Sequence, residues 1–281
     1  MTVKIIEVFG EAPSDALIAA LERTGTPYKL LLGTVYFRLV QGSDAYHEIL
    51  PLVGEKERVS LAEYSESERK KAAWLEIAPR LQAVSLLNLK DACDYTCCYT
   101  GADGLEHAHH CEQIAPYEIA NEIPWTPKRH FSAPDHGGSD VFASKKVKEL
   151  VENTGLKGCA FFPVINQKTG LYCSDTFQLK AQKEIPLDAI SFGHGETVSV
   201  CPLCGKKQYL LKNTYQFHLQ HHLLPSSADI LRTPALFHDG QAESVLLISQ
   251  RFYRVLKEAE LHFGLRFTTT ICILNLKGVR K

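Results

Sequence analysis

The sequence predicts an α+β protein in which two related strand-helix-strand units contribute to a mixed sheet. Three observations carry this reading. Segments with alternating apolar residues stand beside segments whose apolar residues recur every third or fourth position, so strand and helix periods are both present. Two stretches, centred on Ser144 and Ser249 and therefore 105 residues apart, share one succession of strand, serine, apolar helical stripe and second strand. Apolar residues make 45% of the chain and charged residues 22%, the balance of a protein with a real core.

At 281 residues the chain has the length of two ordinary domains. Residues 3–8 alternate like a strand, and residues 14–23 place Leu17, Ile18 and Leu21 at helical spacing behind Ser14, a good N-cap. Residues 28–32 and 34–40, split by Gly33, read as a β-hairpin. The polar run 63–71 leads into residues 72–77 and Leu81, read as one helix with a charged face that Pro79 ends or bends. Residues 84–89 and 93–100 read as strands, and Gly101 to Gly104 as the turn that returns the chain through 105–113. Residues 115–139 carry Pro116, Pro124, Pro127, Pro134, Gly137 and Gly138, the punctuation of a linker or long surface loop. The expected organisation is an N-terminal α+β region over 1–114, this connection over 115–139, and a duplicated region over 140–281 with a cysteine-bearing insertion.

In the duplicated region the first copy begins at Val141 and the second at Val245. Ser144 and Ser249 each follow a short apolar strand, where a hydroxyl can accept a hydrogen bond from an orphan amide of the first helical turn. Val147, Leu150 and Val151 then form one apolar stripe and Phe252, Val255 and Leu256 the other. Both helices give way to β-rich runs, with Phe162 matched to Phe267. Gly155 suits a left-handed helix C-cap, whereas Glu260 at the matching place takes positive φ only at a cost.

Charge and cysteine usage narrow the function classes. Lys plus Arg number 31 against 32 Asp plus Glu, so there is no strong field to collect polyanions or an anionic membrane, and nucleic acid is disfavoured as a partner. The opening residues lack the pattern of a secretion signal and no 18-residue apolar run occurs, which predicts a cytoplasmic protein. Nine cysteines in a reducing compartment are core thiols or metal ligands rather than a disulfide framework.

Cys201-Pro-Leu-Cys204-Gly205 is the sharpest local motif, because two thiolates so spaced on a tight knuckle can reach one Zn²⁺. His218 and His222 complete a two-Cys, two-His spacing, provided a helix over 217–223 sets both on one face. With four protein ligands such a zinc would be structural. A second pool lies in the hairpin before residue 115: with the turn centred between Ala102 and Asp103, Cys98, His107, His109 and Cys111 share a sheet face. Cys93, Cys97 and Cys98 read equally as buried thiols or ligands, and Cys159, Cys173 and Cys272 as core thiols. No phosphate loop, His-Glu-x-x-His or Gly-x-Ser-x-Gly occurs, so no catalytic residues are assigned.

Residues 140–164, the Cys201-Pro-Leu-Cys204-Gly205 knuckle, Asp229-Ile-Leu-Arg232 and residues 245–267 together resemble the myxobacterial double-CXXCG family and the wider immunity proteins of bacterial polymorphic toxin systems. The resemblance implies a cytoplasmic antidote that binds a cognate protein toxin and blocks it by stoichiometric occlusion. The sequence departs from that family at the first motif, where Cys93-Asp-Tyr-Thr-Cys97-Cys98-Tyr-Thr-Gly101 stands, and residues 1–90 are not covered. Two other classes compete: a zinc-ribbon regulator that touches nucleic acid, which a steep salt dependence of binding would reveal, and an enzyme, which a deep pocket with a histidine and a titratable partner would reveal.

Overall fold

The structure is a computed structural model that describes residues 3–31, 33–54, 58–80, 82–96, 99–100, 106–107, 110–134, 140–191, 197–200, 207–210, 218–225, 227–234, 236–238 and 241–273. The class is α+β, with helices set against mixed and antiparallel sheets. The chain divides into two compact units between Lys71 and Ala72. Among the described residues, no helix is long and apolar enough to cross a membrane.

The first unit runs β1 (Val3–Glu11), α1 (Asp15–Arg23), β2 (Tyr28–Leu31), β3 (Thr34–Val40), α2 (Asp44–Ile49), β4 (Arg58–Glu63) and α3 (Glu66–Lys71), with sheet order β2-β3-β1-β4. Ser14 caps α1 by accepting from the Leu17 amide at 3.2 Å, so the helix begins where the sequence placed it. Leu17 and Leu21 then pack on Val8, Val35 and Phe37 of the sheet. Ser65 and Glu68 form a reciprocal capping box that starts α3.

The helix expected to continue from this point stops at Lys71, and its apolar continuation is strand β5 (Trp74–Pro79). Tertiary burial decides this: Leu75 and Ile77 point into one core while Trp74 points into another, an alternation that only an extended chain provides. Next come β6 (Gln82–Val84), α4 (Leu89–Ala92), β7 (Cys93–Thr96), β8 (Tyr99–Thr100), β9 (Glu106–His107) and β10 (His110–Gln113). The strand expected over 84–89 thus ends at Val84. Within the proline-rich stretch 115–139 lie β11 (Glu118–Ile119) and β12 (Phe131–Pro134).

The two serine-centred segments both fold as strand, helix, strand: β13 (Val141–Ser144), α5 (Lys145–Thr154) and β14 (Cys159–Asn166), followed by β15 (Leu171–Ala181). Beyond them lie β16 (Ile190–Ser191), β17 (Thr197–Val200), β18 (Lys207–Leu210), β19 (His218–Gln220), β20 (Ile230–Arg232), β21 (Leu236–His238) and β22 (Gln241–Glu243). The second segment is β23 (Leu246–Ser249), α6 (Gln250–Glu258) and β24 (Leu265–Thr269), with β25 (Ile271–Ile273) after it.

The likeness of the two segments extends to their pairing. β13 and β14 flank β15, and β23 and β24 flank β5, antiparallel in every case. Val141 and Phe161 both stand opposite Leu179, as Leu246 and Phe267 both stand opposite Ile77. Phe161, not Phe162, is therefore the counterpart of Phe267, because the second helix-to-strand connection is one residue longer. On the other side of each serine-bearing strand lies a further antiparallel neighbour, β12 beside β13 and β20 beside β23. β12 in turn pairs in parallel with Gln82, as Arg232 of β20 does with Glu184. Even single hydrogen bonds recur: Gln182 N–H donates to Gly158 O and Arg80 N–H to Gly264 O, both at 2.8 Å.

One core serves both halves, since Val147 and Val151 of α5 share it with Phe252 and Leu256 of α6 and with Leu75, Ile77 and Leu179 of the two central strands. Gly155 caps α5 at φ 62, as expected, and Glu260 takes the corresponding left-handed conformation at φ 56 despite its side chain.

Candidate functional site

Between β6 and β12, and again between Glu184 and β20, the two halves carry equivalent insertions, and these hold the cysteine motifs. Each insertion contains an antiparallel pair: β7 with β10, where Thr96 faces His110, and β17 with β18, where Val200 faces Lys207. Cys97 follows Thr96 and Cys201 follows Val200, so Cys97-Cys98-Tyr-Thr100-Gly101 corresponds in order to Cys201-Pro-Leu-Cys204-Gly205, with Thr100 in place of the second cysteine. Cys201 and Cys204 themselves lie outside the described residues, as do Cys97, Cys98 and His109.

His218 and His222 do not share a helix face. His218 opens strand β19, paired with Ser191 and Ile271, and His222 lies in the short 3-10 turn His221–Leu223 with its side chain exposed. The extended backbone follows from the fully buried Leu219, which locks β19 between β16 and β25. The first hairpin is centred half a residue beyond the expected place: Tyr99 pairs with His107 and Tyr95 with Cys111. The grouping expected of Cys98, His107, His109 and Cys111 rests on Cys98 and His109, which lie outside the described residues. Among the described residues, no three His, Cys, Asp or Glu side chains gather as metal donors.

Three buried polar groupings stand in the second unit, two of them built on the serines already marked as helix caps. In the first, Tyr117 donates to Asp140 Oδ2 at 2.9 Å, Gln178 Nε2 donates to Asp140 Oδ1 at 2.7 Å, and Cys93 Sγ lies 3.6 Å from the Tyr117 hydroxyl. Burial and then the Asp140 charge push the Tyr117 phenol far above its ordinary range, so it stays a donor. Gln178 Oε1 is buried with no hydrogen-bond partner among the described residues. Cys93 is a buried core thiol here.

The other two groupings are counterparts. His130 Nδ1 shares a 3.0 Å hydrogen bond with Ser144 Oγ, and Ser249 Oγ donates to Asp229 Oδ1 at 2.8 Å. Ser249 also caps α6 by accepting from the Phe252 amide, whereas Ser144 makes no side-chain cap. Asp229 collects more partners than its counterpart: the Lys157 amide at 2.9 Å and the Arg251 guanidinium at 3.1 Å. Arg251 in turn donates to the Thr154 carbonyl at the end of α5, so this node ties the two helices together. Burial, with the charge of Lys146, holds the His130 pKa below its ordinary value and the ring neutral.

Two further titrations bear on chemistry. Burial pushes the Glu76 carboxyl up to about 7, against the lowering pull of Arg266. Burial and nearby carboxylates push the Cys159 and Cys173 thiols up to about 12 and about 11, which keeps them protonated and poorly nucleophilic. Glu76 has Gln178 as its counterpart on the other central strand, opposite Leu247 where Gln178 is opposite Phe142.

The hairpin β14–β15 is where the halves differ most in outline. β14 has eight residues where β24 has five, and the excess forms an arm ending in the exposed turn 167–170. It carries Leu171 and Tyr172, which are 69% and 64% exposed, and Phe162, 44% exposed, stands at its base opposite Gln178. Lys180 lies over the Phe162 ring and Lys148 over Phe177. No family model matches the chain, and none of the curated proteins matches it significantly.

Proposed function

We propose that the protein is a cytoplasmic immunity protein that binds a cognate protein toxin and neutralises it by stoichiometric occlusion. The observation that carries the reading is the β14–β15 arm: the counterpart pair β24–β5 completes its sheet without such an extension, so the exposed Leu171 and Tyr172 are surplus to the fold and, with Phe162 at the base of the arm, suited to an interface. The specific partner class comes from the family resemblance. An antidote must engage before the toxin acts, for which a nanomolar dissociation constant, about −12 kcal/mol, is the expected order.

The reading includes a structural Zn²⁺ held by Cys201 and Cys204 with His218 and His222. Support comes from the antiparallel β17–β18 pairing, whose last pair, Val200 with Lys207, brackets the Cys201-Pro-Leu-Cys204-Gly205 motif. Metal would there fix the connection and leave no open position for substrate.

The test is coexpression with the toxin encoded beside its gene. Restored growth together with an equimolar complex on gel filtration is expected. Growth rescue without a stable complex, or rescue by antidote far below equimolar, contradicts occlusion and points to an enzyme.

A further inference from the structure

The order of the strands in space and their order along the chain do not agree, and they disagree in the same way twice. Each half of the second unit is a run of five equivalent strands and helices. The first half is β5, β12, β13, α5 and β14, and the second is β15, β20, β23, α6 and β24. The equivalence rests on paired registers: Leu179 to Ile77 across the central strands, Ala143 opposite Phe131 as Ile248 is opposite Ile230, and the serine amides of Ser144 and Ser249 donating to the carbonyls of His130 and Asp229. The central strand of each sheet, however, comes from the other half. β15 lies between β13 and β14, and β5 lies between β23 and β24.

We propose that the second unit is a tandem duplication whose halves have exchanged their central strands, so that residues up to the 167–170 turn and residues beyond it form one mutually obligate pair. Without β15 the first half has two strands, β13 and β14, with nothing to hydrogen-bond between them, and without β5 the same holds for β23 and β24. The core is divided in the same manner. Leu75 and Ile77 from the first half pack under α6, Leu179 and Ala181 from the second pack under α5, and Asp229 of the second half holds the Lys157 amide of the first. The cut that separates the halves in sequence falls in the arm's exposed turn, where the Thr169 and Gly170 amides bond only back to Asn166. A chain broken there loses a turn and keeps both sheets, so a partner docked on the arm could be released or a protease could act without dismantling the protein.

The experiment places a specific protease site between Lys168 and Thr169 of the full-length chain. After cleavage, the two fragments are expected to elute together at the mass of the intact chain, with the second unit melting in one transition. Once parted in denaturant, the fragment beyond the cut is expected to give no cooperative melt and the fragment before it only that of the first unit, residues 1–71, while mixing them restores the melt of the second unit. Fragments that separate under native conditions, or a fragment beyond the cut that melts cooperatively alone, overturn the proposal. A second measurement does not depend on the inserted site: Ala78→Cys with Arg266→Cys places two thiols at directly opposed positions of β5 and β24. Under mild oxidation the expected peptide map shows one disulfide joining the peptides that carry residues 78 and 266. Absence of that link in folded protein would equally overturn the exchange.

Discussion

The two halves of the second unit have the same strand order and the same helix position but solve three local problems differently. At the start of the helix, one half uses His130 beside Ser144 and the other uses Asp229 beside Ser249. On the central strand, one half has Gln178 and the other Glu76. At the end of the helix, one half turns on Gly155 and the other forces Glu260 into the left-handed region. The difference teaches that the architecture is set by what the halves share, the apolar stripe and central-strand register, while the polar details vary between them.

The largest effects should come from the shared core. Phe252→Ala removes a fully buried ring and should lower stability by about 3–5 kcal/mol, while Val147→Ala on the counterpart helix should lower it by about 2 kcal/mol, read as shifts of the urea midpoint at constant slope. A loss below about 1 kcal/mol for Phe252→Ala would contradict its placement in the core.

The capping nodes come next. Asp229→Ala strands the Lys157 amide, the Ser249 hydroxyl and the half-exposed Arg251, and should cost about 3 kcal/mol, against about 1 kcal/mol for His130→Ala, which frees one hydroxyl. A smaller asymmetry concerns two glycines that precede the final strands. A Cβ on Gly158 would stand 2.9 Å from the Ile230 carbonyl oxygen, while one on Gly264 would meet only the Lys128 carbonyl at 3.6 Å. Both have positive φ, so Gly264→Ala should cost about 1 kcal/mol from backbone strain and Gly158→Ala roughly twice that.

The titratable pair gives opposite signs in one pH range. The folded Glu76 carboxyl, raised to about 7 from 4.5, keeps a proton that the unfolded chain has released, so its contribution falls as pH rises between those values. His130 is lowered below 6.5, so the unfolded chain binds a proton first and stability falls as pH drops through that value. Glu76→Gln, which copies Gln178, should therefore make the melting temperature decline less between about pH 5 and about pH 8 than it does in the unaltered protein. A steeper decline would refute the assignment. The smallest effect is Glu260→Gly, which relieves positive φ but loosens the unfolded chain, for a net gain of about 0.5 kcal/mol.

The sequence disclosed whatever is local. α5 and α6 begin at their serines because the apolar stripes have a 3.6-residue period with a strong start signal, and α1 is legible for the same reason. β5 was illegible because its neighbours β23 and β24 are more than 160 residues away in sequence, and a run flanked by a charged helix looks like more helix until both its faces are buried. β12 was hidden among prolines for a related reason: its partners β13 and β6, not its own composition, make it a strand. The cysteine knuckle was legible as a motif, and the two histidines were misplaced only in conformation, since spacing says nothing about whether Leu219 is buried as part of a strand. The Asp229 node was beyond reach, because it joins Lys157, Ser249 and Arg251 through contacts up to 72 residues apart.

The equivalence of the halves is tested most directly by amide hydrogen exchange on the intact protein, followed by mass spectrometry of peptides covering β5 and β15. Both strands are central in their sheets, so the account predicts that they are the slowest-exchanging peptides of the second unit and that they lose protection together as denaturant is raised. Rapid exchange in β5 while β23 and β24 stay protected, or loss of protection in β5 and β15 at clearly different denaturant concentrations, would contradict it.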